Sequence, residues 1–407
     1  MPTNVFKIDS NYTGLAIATE TSPGVLGGSP VWYGYEPNSY SAFGGEVTKK
    51  ARNTINPSRQ NPKGVTVDRD ANFGFPMDVS TKNLNQLFPG LMFAAFREKN
   101  LLNSGWTAVA TSDDSYARAS GASVYLANDL IFAENFTNSA NNGLKVVASS
   151  TSTKVLVTAN LVDETPPASA ALRRVGFQFA TGDLVVNMSG ALPELRTTTK
   201  DMTQLGLLPG EWIFIGGDTT TLRFADAANI NGFARIRSVT ANVMVLDKTN
   251  TTPVADVGTG KTVQIFFGSS IKNEQPPNIV RTTFQSERSL GAPDTAAPST
   301  IQAQYCVFSV LNEAKFNFAQ ADLVTVDLGF VSTQTTEQGS QKSGTRVAAD
   351  TTEALNTTSD ISRLRLALVS ASSSAPTPLF AYIENFDFAI NNNISPGRRL
   401  LSSVRLT

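Results

Sequence analysis

The residues able to do chemistry are few. Histidine, the usual general base near neutral pH and the commonest metal ligand, is absent from all 407 residues. That excludes a Ser-His-Asp set, a Cys-His pair and a histidine-ligated zinc. The single cysteine, Cys306, can build neither an intrachain disulfide nor a Cys-rich metal site. It lies in the apolar run Tyr305–Leu311 and reads as a buried, inert thiol. Carboxylate and lysine chemistry remain. The adjacent acids Asp113-Asp114 and Asp163-Glu164 sit in turn-like sequence, where solvated turn residues are the rule, and an acid/base pair needs a pocket. Ala255-Asp-Val-Gly-Thr-Gly260-Lys261-Thr262 is a relaxed phosphate-loop pattern with Ala in place of the first Gly. A working loop lies between a strand and a helix whose N-terminus meets the phosphate. Here Thr249–Pro253 reads as a turn and Val263–Phe267 as a strand, so the context fails on both sides. The Asn-X-Ser/Thr sites at Asn11, Asn135, Asn187 and Asn356 carry little weight, since MPTNVFKIDS does not read as a signal peptide. The expectation is no enzyme, no metal and no cofactor.

Binding residues are easier to find. Between Val47 and Gly64 there is no acid, while Lys49, Lys50, Arg52, Arg59 and Lys63 give the segment a charge of +5. Residues 41–64 lack a sustained apolar pattern, and Asn56-Pro57 and Asn61-Pro62 read as turns. A long polar excursion of this kind is either a solvated loop or a subunit-contact arm. Elsewhere ionic residues are scarce. Lys+Arg is 33, Asp+Glu 34, and charged residues are 16% of the chain against a usual value near 25%. Thr and Ser together number 81 of 407, so the surface is hydroxyl- and amide-rich, which suits burial in an assembly. A near-neutral total argues against a sequence-independent nucleic-acid binder. The longest apolar block, Leu84–Phe96, is too short to span a bilayer. A soluble protein assembled in a cytoplasm is expected.

The elements that would position these residues are mostly strands. Val65 and Val67 alternate with polar residues, as do Phe73, Phe75 and Met77. Leu84, Leu87, Phe88, Leu91, Met92, Ala95 and Phe96 follow helical spacing, with Asn83 as a cap, Gln86 at the reciprocal position and Pro89-Gly90 splitting the helix. Over 101–260 the pattern is β and the net charge −3. An internal repeat aligns Asn142-Gly143 and the eight residues after it with Asn231-Gly232 and its following eight. Each is preceded by a strand with Ile-Phe, at 131–132 and 213–214, and followed by another, Val155–Val157 and Val243–Leu246. Asn-Gly tolerates the positive φ of a tight turn. Two small β modules are expected, 101–168 and 175–260, joined near Pro166-Pro167. After 262, Val263, Ile265 and Phe267 alternate, then Val324 to Phe330, Leu364 to Leu368, and Tyr382 to Ile390, around a polar loop at Ser332–Asp360. One wet and one buried sheet face explain these alternations.

The order of strand pair, long polar loop, strand and Leu/Phe-striped helix continues into Thr325-Val326-Asp327-Leu328, Thr358-Ser-Asp-Ile-Ser-Arg-Leu364 and Phe386-Asp387-Phe388-Ala-Ile-Asn-Asn-Asn-Ile394. It resembles the major tail tube proteins of long-tailed bacteriophages over 1–100 and 262–407. The resemblance implies a mainly β fold: a β-sandwich or barrel core of 1–100 and 262–407 with one flanking helix, interrupted by the duplicated modules. It implies six copies in a ring, rings stacked into a tube, and DNA passing through without specific binding. The partners implied are further copies of the chain, tape measure, terminator and tail-tip proteins, with no membrane, in a virion assembled in the host bacterial cytoplasm. The loop after the early strands would reach the next ring, giving that role to Lys49, Lys50, Arg52, Arg59 and Lys63. Opposite the apolar residues of two C-terminal strands lie Thr325 and Asp327, and Asn385 and Asp387, candidates for a lumen or interface face. The rivals are another β-rich virion component (capsid decoration or tail tip), a carbohydrate-binding or adhesive β protein, and a carboxylate glycosidase.

Overall fold

The computed structural model describes residues 13–51, 63–99, 104–290, 302–338, 341–360, 385–394, 396–397 and 405–406. Their strands, in chain order, begin with β1 Thr13–Thr19, β2 Val31–Tyr35, β3 Ala42–Lys50 and β4 Val65–Asp78, followed by helix α1 Phe88–Met92. Next come β5 Trp106–Ala110, β6 Ser115–Arg118, β7 Asp129–Glu134, β8 Gly143–Ser150, β9 Lys154–Val157 and β10 Ala171–Gln178. Then follow β11 Val185–Asn187, β12 Glu194–Arg196, β13 Trp212–Ile215, β14 Gly232–Val239, β15 Val243–Lys248 and β16 Gln264–Phe266. The last are β17 Phe284–Leu290, β18 Gln302–Ala319, β19 Thr325–Ser332, β20 Gln334–Gln338, β21 Thr345–Val347, β22 Asn385–Asn391, β23 Pro396–Gly397 and β24 Arg405–Leu406. The fold is mainly β. Among the described residues no sheet closes into a barrel.

The chain divides into two compact units. The described parts of unit 1 come from 13–95, 271–360 and 385–406, and those of unit 2 from 96–270.

In unit 1 the order is β21-β2-β1-β17-β18-β19-β4-β3, with β20 and β22 also on β18. The first half of β18 pairs with β17 and β20, the second half with β19 and β22. Phe308 at φ 51° and a register shift between Leu311 and Glu313 mark the changeover. A strand that bends at a bulge can serve two layers. Their inner residues meet in one core. Tyr35 of β2 faces Phe75 of β4 with ring centroids 6.1 Å apart, and Phe284 of β17 meets Phe330 of β19 edge-on at 6.2 Å. Each such buried side chain contributes roughly 1.5–3 kcal/mol.

The helix differs from the expectation. Pro89 opens it instead of splitting it, and Phe93 in the left-handed region ends it after five residues. Asn83 is not its cap: its amide holds the preceding turn, accepting from Ser80 N and donating to Asp78 O. Leu84, Leu87 and Leu91 still enter the core. Gly90 lets the helix approach it, because a Cβ there would stand 2.4 Å from the Phe284 ring. The polar stretch Ser332–Asp360 is not all loop either. It holds β20 and β21, and Arg346 of β21 donates to both oxygens of buried Glu287, at 2.7 and 2.9 Å. Backbone pairing and an ion pair replace the missing apolar signal.

Unit 2 is one twelve-stranded sheet, β11-β12-β15-β14-β13-β16-β10-β7-β8-β9-β6-β5. Numbering β5–β10 and β11–β16 each as strands one to six gives the same order, 1-2-5-4-3-6, in both halves, which join through β10 and β16. The two halves carry separate cores, one around Tyr116, Tyr125 and Ile131, the other around Ile213, Phe224 and Ile265. Two side chains repeat with the topology. Asn142 accepts from Phe136 N and donates to Phe136 O; Asn231 does the same to Phe224. Each Asn side chain clamps the loop before a glycine at positive φ, Gly143 or Gly232. The loop acids repeat as well. Glu164 exchanges backbone hydrogen bonds with Val109 on β5, and Asp256 with Val186 on β11. The Glu164 carboxylate accepts from Thr137 N and Asn138 N, and that of Asp256 from Ala225 N.

Candidate functional site

Of the polar segment 41–64 the structure describes 41–51, 63 and 64, and most of that is strand β3. β3 pairs with β4 from Ala42↔Gly74 out to Lys50↔Val65, with a register shift between Thr48 and Lys49. At its base Phe43 and Phe73 pack into the core, with ring centroids 5.7 Å apart. Farther out, Thr48, Lys49, Lys50, Ala51, Lys63, Val65, Thr66 and Val67 are all exposed, so among the described residues of the outer ribbon neither face is covered. Lys49 and Lys50 lie on its outer β3 strand and Lys63 just before β4; Arg52 and Arg59 lie outside the described residues. An isolated two-stranded hairpin is marginal in water, and exposed Val65 and Val67 add an apolar stripe to it.

The four other candidates fall together. β19 and β22 flank the second half of β18, and cross-strand neighbours share a face. Asn317 stands opposite both Thr325 and Asp387, Lys315 opposite Asp327, and Ala319 opposite Asn385. Lys315 reaches Asp387 at 3.0 Å, and Asn317 donates to Asp327 at 3.1 Å. The Asp387 carboxylate holds the Lys315 ammonium above its ordinary range. Glu313 and Asp78 extend the same face by register, so it carries four carboxylates around one ammonium. Sequence reasoning missed Glu313, Lys315 and Asn317. Their alternation with Ala314, Phe316 and Phe318 was the available signal.

The chemistry-like motifs resolve into structural roles. Lys261 donates to Thr220 O at 2.6 Å, and the segment after it enters β16, not a helix. Asp113 accepts from Lys154 and Ser115, which hold its carboxyl below the usual range, and Asp114 accepts from Leu161 N. Burial pushes the Cys306 thiol up to about 12, which leaves it protonated and unreactive. Among the described residues no group of three or more Cys, Asp or Glu is placed to hold a metal ion, and no helix is long and apolar enough to cross a membrane.

A family model described as "phage tail tube protein" matches residues 10–406, nearly the whole chain. The chain belongs to the phage tail tube protein family. The match runs through both units, from ahead of β1 to the last residue of β24. No curated protein matches the chain. Membership makes the tail tube protein a structural component of a phage tail, and so of the virion, in a family whose members assemble with themselves and with other tail proteins. The arm and the polar face are thus surface features of a member of a structural tail family.

Proposed function

We propose that six copies of this chain close into a ring, that rings stack into the tail tube, and that phage DNA passes through the bore during ejection. The β3–β4 arm is the observation that carries this reading. A ribbon exposed on both faces, with its lysines at the outer end, is built to be completed by a neighbour. Lys49, Lys50 and Lys63, with Arg52 and Arg59, would dock on a polar or acidic surface of the next ring. The edges at β3 and β21 favour β pairing between subunits within a ring.

Thr325, Asp327, Asn385 and Asp387 are proposed to line the bore or a subunit contact. A surface with an excess of carboxylates repels phosphates, and phosphate attraction dominates DNA affinity, so DNA could slide without being held. Tape measure, terminator and tail-tip proteins would contact the tube ends. Assembly would take place in the host bacterial cytoplasm. Unit 2 would decorate unit 1; its two modules, expected at 101–168 and 175–260, are taken as β5–β10 and β11–β16, so that β16, Gln264–Phe266, belongs with them and not with the core. Electron microscopy of the purified chain tests the proposal: stacked rings with a central hole support it, and dispersed monomers at high concentration reject it.

A further inference from the structure

β17 presents two charged residues in succession, and only one of them is paired. Glu287 points to one side of the sheet, where Tyr305 and Arg346 supply both its oxygens with donors. Arg288 points to the other side. Its guanidinium carbon lies 4.7 Å from the ring centroid of Tyr40 and 5.9 Å from that of Phe43, and the two rings meet edge to face at 6.2 Å. No residue beside it in the sheet can neutralise it. Leu15 and Gln304 are its neighbours on β1 and β18, and Ser286 and Leu290 flank it on its own strand face.

Among the described residues this guanidinium makes neither a hydrogen bond nor an ion pair. Arg235, by contrast, holds Asp247 through two contacts, as Arg346 holds Glu287. The Nε atom of Arg288 is buried without an acceptor, and so is the Tyr40 hydroxyl, whereas the two terminal nitrogens of Arg288 reach the surface. A charge taken partly out of water with none of its five donors used is costly to the isolated subunit. Stacking on the rings offsets part of that cost and fixes the plane of the guanidinium, so its outer N–H groups stand as a ready fork. A fork of that shape fits a carboxylate, which accepts two parallel hydrogen bonds.

The position of the fork points to the source of the carboxylate. Phe43 belongs to β3, the terminal strand of the sheet and the base of the arm, and Tyr40 leads into it. Arg288 therefore stands beside the element that the ring-and-tube reading gives to a neighbouring subunit, and the inference rests on that reading. The chain belongs to a family that assembles with itself, so a second copy is the partner at hand. That copy has carboxylates to offer: in unit 1, Glu36 and Glu353 are exposed and make no ion pair among the described residues. A nucleic-acid phosphate would fit the same fork, but a chain with a net charge of −1 lacks the basic field that holds DNA.

We propose that Arg288, held by Tyr40 and Phe43, receives a carboxylate of a second copy of the chain. The test uses the full chain. Arg288→Met keeps an unbranched stem over the rings and removes all five donors; Arg288→Lys keeps the charge and loses the fork. Self-association is followed by sedimentation over a range of concentrations and by electron microscopy, with the melting temperature of the dispersed subunit measured alongside. The methionine variant should need about tenfold more protein to assemble, or more, and added salt should weaken its assembly less than the parent's. Its dispersed subunit should melt no lower than the parent's, because an uncompensated charge has been removed. Lysine should recover part of the lost assembly. A methionine variant that assembles at the parent's concentration overturns the proposal. So does one whose dispersed subunit melts lower, which would place the carboxylate in the same chain, and so does a lysine variant no better than methionine. DNA binding that disappears from the methionine variant while its assembly is unchanged would give the fork to a phosphate instead. A parent that never associates takes the ring reading down with it; only a parent that assembles can lose this contact alone.

Discussion

The edges of the two sheets are finished in opposite ways. In unit 2 both terminal strands are covered by loop backbone: Glu164 pairs with Val109 on β5, and Asp256 with Val186 on β11. In unit 1 the terminal strand β3 runs out with β4 into an arm exposed on both faces. An uncovered edge is an invitation to pair with another chain, and natural proteins normally block it. Unit 2 blocks it twice with the same device, whereas unit 1 leaves it where a self-assembling protein has use for it. The proposed subunit contacts accordingly lie in unit 1.

The largest expected effect follows from removing the open edge. Replacing Thr48–Asp68 by an Asn-Gly turn should abolish tubes in micrographs while leaving the melting temperature within a few degrees; tubes of undiminished length would break the contrast. Next comes uncovering the closed edge. Glu164→Ala strips acceptors from Thr137 N, Asn138 N and Asn141 Nδ2, at 3.1, 2.7 and 2.9 Å. A loss of about 1–3 kcal/mol is expected, seen as a lower melting temperature, with aggregation in light scattering as β5 is freed. Unchanged scattering would mean that the loop is not what protects that edge.

A smaller, pH-dependent effect is expected at Asp183. Burial alone would raise its carboxyl, but hydrogen bonds from Thr197, Thr198 and Thr199 outweigh that and hold it below the ordinary carboxylate range. A depressed folded value means that its stabilisation is complete above the unfolded pKa and disappears as pH falls through the folded one. Asp183→Asn should therefore lower the melting temperature at neutral pH, and the gap to the parent should narrow in acid. The smallest effect belongs to Lys315→Ala, which breaks a solvent-exposed pair with Asp387 and should leave the melting temperature nearly unchanged. If the surrounding carboxylates face a neighbouring subunit instead of a bore, tube yield will fall as well.

Alternation made much of the core visible in the sequence. Phe73, Phe75 and Met77, like Val324, Val326, Leu328 and Phe330, are all buried as a one-sided strand requires. Asn142-Gly143 and Asn231-Gly232 also carried their turns on their face, because both the amide clamp and the positive φ are written in those two residue types. Polar strands escaped. β3 and β21 are built from residues with no apolar rhythm and are held by backbone pairing, in β21 with help from Arg346 and Glu287, whose meeting across 59 positions has no local signal. Glu164 likewise looked like a solvated turn acid, and only the fold brings its carboxylate to the loop before β8. Among the site residues, Thr325, Asp327, Asn385 and Asp387 could be read from alternation, but the lysine between them could not be paired with its acid until β22 was placed against β18.

The pairing of β1 with β17 joins Thr13 to Leu290, and β18 must arrive before either layer of unit 1 is complete. The described part of unit 2, by contrast, is the single stretch 96–270. During synthesis it can therefore fold while the first strands of unit 1 still wait for partners more than two hundred residues downstream. The two layers of unit 1 are then closed late, when β18 arrives to pair with β17 and β20 at one end and β19 and β22 at the other.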